Sequence, residues 1–405
     1  MALRKTKLKA KALRADRSVG PRGAQARSQL DGLAKLVESF DGVAPAAELL
    51  HDVVAVPTVF PAFDWRVEVG GLPVGSISLI YGPSSEGKTP LAIGLGRSFL
   101  ERGHLFHLID AERSTPAAWM RQMLGSFYDH PGFTMPEQIG SYEHVRAGVR
   151  RWCEGIARAR EQGLVAEDTA GLCVVDSIGQ LLPEGAWEEM GKTATVKAEA
   201  ERAAAKDKPK RWRPKGYTDG AGKRLGQIQA GANSVWVKEL TPLLADTRCS
   251  MAIITRESVE QEGLVTVIRS IGGKDLRYGS GLWLRVESSP WNHAQGNEKV
   301  LVGHRHTVQI LRSKVGPKRE RYNEAWFRTS NGAAMPEGFA RPADVLELGR
   351  ALGAVEERGS HVYFDGESLG NGEPAVVRKL CEDEALAAAL EAACRARFPK
   401  VGGEG

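Results

Sequence analysis

Ile80-Tyr-Gly-Pro-Ser-Ser-Glu-Gly-Lys-Thr-Pro-Leu-Ala-Ile-Gly-Leu95 is the stretch on which the reading of this chain turns. Gly82 to Thr89 satisfy G-x-x-x-x-G-K-[ST], between an apolar strand, "GSISLIYG", and a helical run, "PLAIGLGRSFLERG". In that context the motif cradles phosphate. Its glycines let backbone N–H groups converge at a helix N-terminus, where the helix dipole favours negative charge. Gly82, Pro83, Ser84, Ser85, Glu86 and Gly87 form the loop; Lys88 would reach the β- and γ-phosphates of ATP, and the Thr89 hydroxyl would hold Mg²⁺. Pro90 is the unusual member. Proline suits the first turn of a helix, yet here it removes an N–H expected to face the phosphates. One such hydrogen bond is worth about 0.5–3 kcal/mol, so weaker nucleotide binding is expected, not its loss.

Outward from this loop, apolar strands alternate with helices: "HLFHLID", the helix "EHVRAGVRRWCEGIARARE", "GLCVVD", a helix over Ile228, Ala232, Val235, Trp236, Leu240 and Leu243, then "SMAIITRE". This pattern predicts an α/β fold with a doubly wound, mostly parallel sheet, whose ligands bind beyond the carboxyl ends of the strands. "GLWLRVESS", "HRHTVQILRS" and "YNEAWFRTS" follow without intervening helices and predict an antiparallel extension. Asp176 ends a buried run, where a carboxylate can support Mg²⁺ and its water. Asp110 and Glu112 end another strand, where a carboxylate can orient attacking water or simply cap a turn.

The expected organisation is a basic tail over 1–28, a short helix and linker over 29–52, a core over 53–335 with a basic insertion at 192–224, and a small α/β domain over 336–405. The helix in 29–52 rests on Leu30, Leu33, Leu36 and Val37. The tail carries nine Lys/Arg against one acidic residue and the insertion eleven against four, whereas the whole 405-residue chain carries only +5. Basic segments on an acidic body suit a polyanion, because each neutralised phosphate releases a counterion. Solvated tracts are the plain alternative, and a transit peptide is a further one for the tail. No run of eighteen apolar residues occurs, so no membrane span is expected. Cys153, Cys173, Cys249, Cys381 and Cys394 have neither metal-ligand nor disulfide spacing and read as small buried residues in a reducing compartment.

With "GLPVGSISLIYGPSSEGKT", "IDAE", "VVDSIGQLLPEG", "GGKDLRYGS", "RSK" and "GSHVYFDGESLGNG" in order, residues 30 to 400 resemble the bacterial RecA recombinase family. The resemblance implies a RecA-like P-loop ATPase core with a small C-terminal domain. It implies an ATP- and Mg²⁺-dependent, cytoplasmic, nucleoid-associated recombinase forming a homo-oligomeric helical filament on single-stranded DNA and pairing it with double-stranded DNA.

Carried over by position, Lys88 and Thr89 are the phosphate and Mg²⁺ residues, Glu112 the catalytic glutamate and Asp176 the Walker B aspartate. Trp119 falls where the family stacks an aromatic ring on adenine, with core packing an equal alternative. Arg312 and Lys314 match a cationic pair that reaches the neighbouring subunit's ATP, and Arg277 and Tyr278 a pair that engages the adjacent subunit. The two DNA loops fall at about 183–227 and 258–273. In the first, Lys208, Lys210, Arg211, Arg213 and Lys215 interleave with Trp212, which suits phosphate contact and base stacking. The second keeps Gly272 and Gly273 with Arg269 nearby.

Thr255-Arg256 stands where the family has Asn-Gln, the glutamine sensing the γ-phosphate; arginine can contact phosphate with a permanent charge and a different reach. With Pro90, this points to a divergent paralogue or phage-type member. The trans cations Arg312 and Lys314 would then offset the donor lost at Pro90. A RecA-like DNA-binding accessory protein with little turnover is the alternative, and the C-terminal domain argues against a ring-forming motor.

Overall fold

Apolar runs without alternation become the central strands, because strands covered on both faces have no polar side to show. The computed structural model describes residues 53–186, 220–262, 265–270, 272–295, 298–315 and 323–399. In chain order the strands and helices of the core are β1 (Ala55–Val56), α1 (Pro61–Val67), β2 (Leu72–Pro73), β3 (Ile77–Tyr81), α2 (Lys88–Leu100), β4 (Leu105–Asp110), α3 (Ala117–Leu124), β5 (Phe133–Thr134), α4 (Tyr142–Glu161), β6 (Gly171–Asp176) and α5 (Gly220–Thr247). They continue with β7 (Cys249–Ile254), β8 (Glu257–Glu262), β9 (Val265–Ser270), α6 (Lys274–Gly279), β10 (Leu282–Gln295), β11 (Glu298–Ser313), β12 (Asn323–Ser330) and β13 (Gly338–Phe339).

The main sheet runs β13-β12-β11-β10-β3-β7-β6-β4-β5. From β10 through β3, β7, β6 and β4 to β5 every pairing is parallel, and β10 to β13 add the expected antiparallel extension. Successive residues of each central strand enter opposite cores. Ile80, Leu108, Val174 and Ile254 pack with Leu91, Ile93 and Phe99 of α2 and with Met120 and Met123 of α3. Leu79, Ile109, Val175 and Ile253 pack with Val145, Val149 and Ile156 of α4 and with Trp236, Leu240 and Leu244 of α5. Each fully buried aliphatic side chain contributes roughly 1.5–3 kcal/mol, so the two layers account for the sheet's position.

Residue-level expectations need correction on α5 and among the cysteines. Val235, assigned to the apolar face of the helix, is 53% exposed. The spacing from Ile228 tolerates it, but the adjacent Trp236 takes the sheet-facing position and rotates Val235 outward. Cys381 is half-buried, whereas the other four cysteines are buried.

The C-terminal segment comprises α7 (Arg341–Ala351), β14 (Glu356–Arg358), β15 (His361–Phe364), β16 (Glu367–Asn371), α8 (Glu373–Glu382) and α9 (Glu384–Arg395), with the three strands in an antiparallel sheet. Its apolar residues share a third cluster with Trp291, Val302 and Trp326. Inside that contact Arg328, on β12, meets Asp344, on α7, at 3.0 Å, both almost wholly buried. The expected tail, the 29–52 helix and the insertion residues Lys208, Lys210, Arg211, Trp212, Arg213 and Lys215 lie outside the described residues.

Candidate functional site

The phosphate loop leaves β3 at Gly82, where an added Cβ would lie 2.2 Å from the Val286 carbonyl oxygen of β10. It enters α2 through Gly87 at φ 95°, a left-handed conformation that glycine adopts without the Cβ penalty. Lys88 Nζ donates to the carbonyls of Gly82, at 3.2 Å, and of Pro83. Those carbonyls orient the ammonium while leaving its positive charge for an anion. Burial pushes the Lys88 pKa below the ordinary lysine value, against the opposing pull of Asp176 and Glu112. Pro90 occupies the first turn of α2, and the first helical hydrogen bond, Leu91 N–H to Gly87 O at 3.0 Å, forms beyond it. Its missing N–H therefore costs α2 no internal bond.

Thr89 Oγ1 donates to Asp176 Oδ2 at 2.5 Å, joining the start of α2 to the end of β6. Burial raises the Asp176 pKa to about 6, with Glu112 and Asp110 adding to the rise and the Thr89 hydrogen bond opposing it. Glu112 and Asp110 separate in role. Asp110 accepts from the backbone N–H groups of Ser114, at 3.4 Å, and Thr115, at 3.1 Å, which makes it the turn cap. Glu112 Oε1 instead accepts from Ser177 Oγ at 2.8 Å and pairs with Arg256 Nη2 at 3.3 Å. Burial would raise its pKa, but the Ser177 and Arg256 hydrogen bonds and the Arg256 charge outweigh it and hold the carboxyl below the usual range.

A cavity of about 420 Å³ opens at the carboxyl ends of the parallel strands, with Gly82, Pro83 and Asp110 outside its lining. Ser84 to Pro90, Glu112, Trp119, Asp176 and Arg256 all border it. Trp119 is half-buried, packing against the α2 side of the core while facing the cavity. Ser114, Ser177, Ser288, His304, His306 and Thr329 also line it and were not singled out in the sequence. No motif marks them, because Ser114 follows β4, Ser177 follows β6, and Ser288, His304, His306 and Thr329 arrive from within β10, β11 and β12 through sheet register. The donor set fits a magnesium-bound nucleoside triphosphate: an oriented lysine, glycines pressed against backbone and ring, and two hard oxygen groups 2.5 Å apart.

The cationic pair lies elsewhere. Arg312 stands over the rings of Trp283, at 5.3 Å, and Tyr278, at 5.8 Å, and Lys314 Nζ donates to the Tyr278 carbonyl. Trp283 Nε1 donates to the Arg277 carbonyl at 2.5 Å, so Arg277, Tyr278, Arg312 and Lys314 share one patch with Tyr278 59% exposed. None of the four borders the cavity of their own chain. In the second expected DNA loop, β8 and β9 pair as antiparallel strands, with Arg269 on β9. Gly272 and Gly273 follow it against α5, where Asn233 Nδ2 donates to the Gly272 carbonyl at 2.8 Å.

Strand order, phosphate loop and converging carboxylates define a RecA-like P-loop core. No family model matches the chain. It is 25% identical over 383 residues to protein RecA of Bifidobacterium breve, spanning 93% of this chain and 83% of that protein. It is 25% identical over 355 residues to protein RecA of Bifidobacterium longum, spanning 87% and 75%, and 25% over 329 residues to that of Geobacter sulfurreducens, spanning 81% and 80%. The chain accords with a divergent member of the RecA family.

Proposed function

We propose that the protein is a DNA-dependent ATPase of the recombinase type, which assembles as a homo-oligomeric helical filament on single-stranded DNA and pairs it with duplex DNA. The observation that carries this reading is the convergence of Lys88, Thr89, Glu112 and Asp176 on one cavity. Lys88 would bind the β- and γ-phosphates, and Thr89 and Asp176 would hold Mg²⁺, which supplies charge neutralisation at the phosphates when bound. Glu112, held ionised by Ser177 and Arg256, would orient the attacking water and take its proton. Trp119 would pack on the base. Arg312 and Lys314, outside their own chain's cavity, would act in trans on the nucleotide of the next subunit, with Arg277 and Tyr278 at that contact.

The basic tail and the 192–224 insertion would track the DNA backbone, and the segment over Arg269, Gly272 and Gly273 would form the second DNA contact. The division into a core over 53–335 and a C-terminal domain over 336–405, and a place in the cytoplasm with the nucleoid, belong to the same proposal. No helix of the described residues is long and apolar enough to cross a membrane.

The Arg256–Glu112 pair favours a second reading, an accessory DNA-binding protein with little turnover, because the carboxylate needed for water is already engaged. ATP hydrolysis with and without single-stranded DNA separates the two, with Glu112→Gln as control. Stimulated turnover that vanishes in Glu112→Gln supports the recombinase-type ATPase. DNA binding without stimulated turnover supports the accessory protein.

A further inference from the structure

Glu86 is held at both ends by one cross-strand pair. Its side chain Oε2 accepts from the backbone N–H of Ser288 at 2.5 Å and from Ser288 Oγ at 2.6 Å. Its backbone carbonyl lies 3.3 Å from His306 Nδ1. Ser288 on β10 and His306 on β11 are direct partners in the antiparallel register, so both side chains leave the same face of the hairpin.

Each bond has a local cause. Strand β3 pairs with β10 only as far as Arg285, so the Ser288 N–H lies beyond the last β3 partner, and Glu86 satisfies it. A carbonyl can only accept, so His306 Nδ1 carries the proton; its Nε2, at 3.1 Å from Thr329 Oγ1, is then the acceptor. Stacking on Phe327 at 4.5 Å fixes the ring, which occupies the space a Cβ on residue 87 would need. Burial keeps this imidazole neutral, its pKa lowered to about 4, so no cation from His306 competes with Lys88 for phosphate.

A carboxylate is an awkward occupant of a phosphate loop. Glu86 lies two residues from Lys88, and each feels the other's charge. Released from Ser288, its carboxylate could turn toward Lys88 and occupy the ammonium that the phosphates require. We propose that Ser288 and His306 form a clamp that turns the Glu86 carboxylate away from Lys88 and holds the loop backbone open, making them positioning residues for nucleotide binding. The inference rests on the reading of this cavity as an ATP site.

The test is a binding titration of the full chain with a fluorescent ATP analogue and Mg²⁺. It compares wild type, Lys88→Ala, Ser288→Ala, and Ser288→Ala combined with Glu86→Gln. Ser288→Ala removes the hydroxyl and leaves the backbone N–H, so the hold on Glu86 is loosened. Binding should weaken about three- to fivefold, and Glu86→Gln in that background should restore it to near the wild-type value, because the loosened side chain no longer carries charge. In hydrolysis the loss should fall on KM, with kcat nearly preserved. A merely structural role for Ser288 predicts no rescue, so a double variant as weak as Ser288→Ala overturns the clamp. So does a Ser288→Ala protein that binds as wild type does. Wild type that fails to bind, or Lys88→Ala that binds equally well, overturns the nucleotide reading and the clamp with it. Lys88-dependent binding that ignores Ser288 overturns the clamp alone.

Discussion

The Arg256 guanidinium sits 3.3 Å from Glu112 Oε1, the same oxygen that accepts the Ser177 hydroxyl at 2.8 Å. Removing Arg256 withdraws one hydrogen bond and a positive charge that act with the Ser177 hydrogen bond to hold the Glu112 carboxyl low. Arg256→Gln should therefore move the acidic limb of the kcat/KM profile for ATP hydrolysis to higher pH, since the base is lost by protonation sooner as pH falls. An acidic limb that stays in place would mean that Arg256 does not set the ionisation of Glu112.

Gly87→Ala should remove nucleotide binding. The substitution places a Cβ 2.1 Å from His306 Nδ1 and asks alanine to adopt φ 95°. The left-handed conformation alone costs about 1–2 kcal/mol for a non-glycine residue. Combining it with His306→Ala relieves the steric share but also removes the hold on the Glu86 carbonyl, so the double variant should regain only a small part of the affinity in the same titration.

Two buried histidines give the fold an acid-sensitive contribution. Burial lowers His107 and His306 from 6.5 to about 4. Between those values the unfolded chain binds protons that the folded chain refuses, so the contribution of these two rings falls as pH drops from about 6.5 to about 4 and levels off below. Asp64, Asp176 and Asp344 follow the opposite trend, because their burial-raised values let the folded chain take up protons first. A shift of this size corresponds to on the order of 3 kcal/mol for each ring. Chemical unfolding should show wild type losing stability, relative to the combined His107→Gln and His306→Gln variant, as pH drops through this window.

Arg328→Ala should be among the costlier single changes. It strands Asp344, 2% exposed, without its guanidinium partner and also releases Glu347. Removing one member of a buried pair typically costs about 3–5 kcal/mol. Urea denaturation should show a lower midpoint, and a change under about 1 kcal/mol would mean that water reaches Asp344 when the arginine is gone.

Alanine at Lys210, Arg211, Arg213 and Lys215 should flatten the salt dependence of single-stranded DNA binding. Each lost phosphate contact removes about 0.7 from the slope of log K against log salt, so four could remove up to about 3. An identical slope would make the insertion a bystander.

Much of the fold was legible in one dimension. A six-residue run such as Gly171 to Asp176, buried throughout, has no face for water and reads as a central strand in any context. The phosphate loop is equally local, because its glycines, lysine and threonine act within eight consecutive residues. Asp110 and Glu112 could not be separated that way. They stand two apart at one strand end, and only the distribution of partners, backbone N–H groups for one and Ser177 and Arg256 for the other, divides cap from site.

The sequence by itself determined the strand–loop–helix unit around Lys88, the alternation that builds a doubly wound sheet, and the antiparallel extension, because periodicity and short-range turn chemistry encode them. Tertiary structure decided which distant side chains meet in the cavity. Ser177 reaches Glu112 across 65 residues, Arg256 reaches it across 144, and Ser288 and His306 reach Glu86 across 202 and 220. Such meetings depend on which strands become neighbours and in what register. A one-residue slip between β10 and β11 would turn His306 away from Glu86 while leaving every local pattern intact.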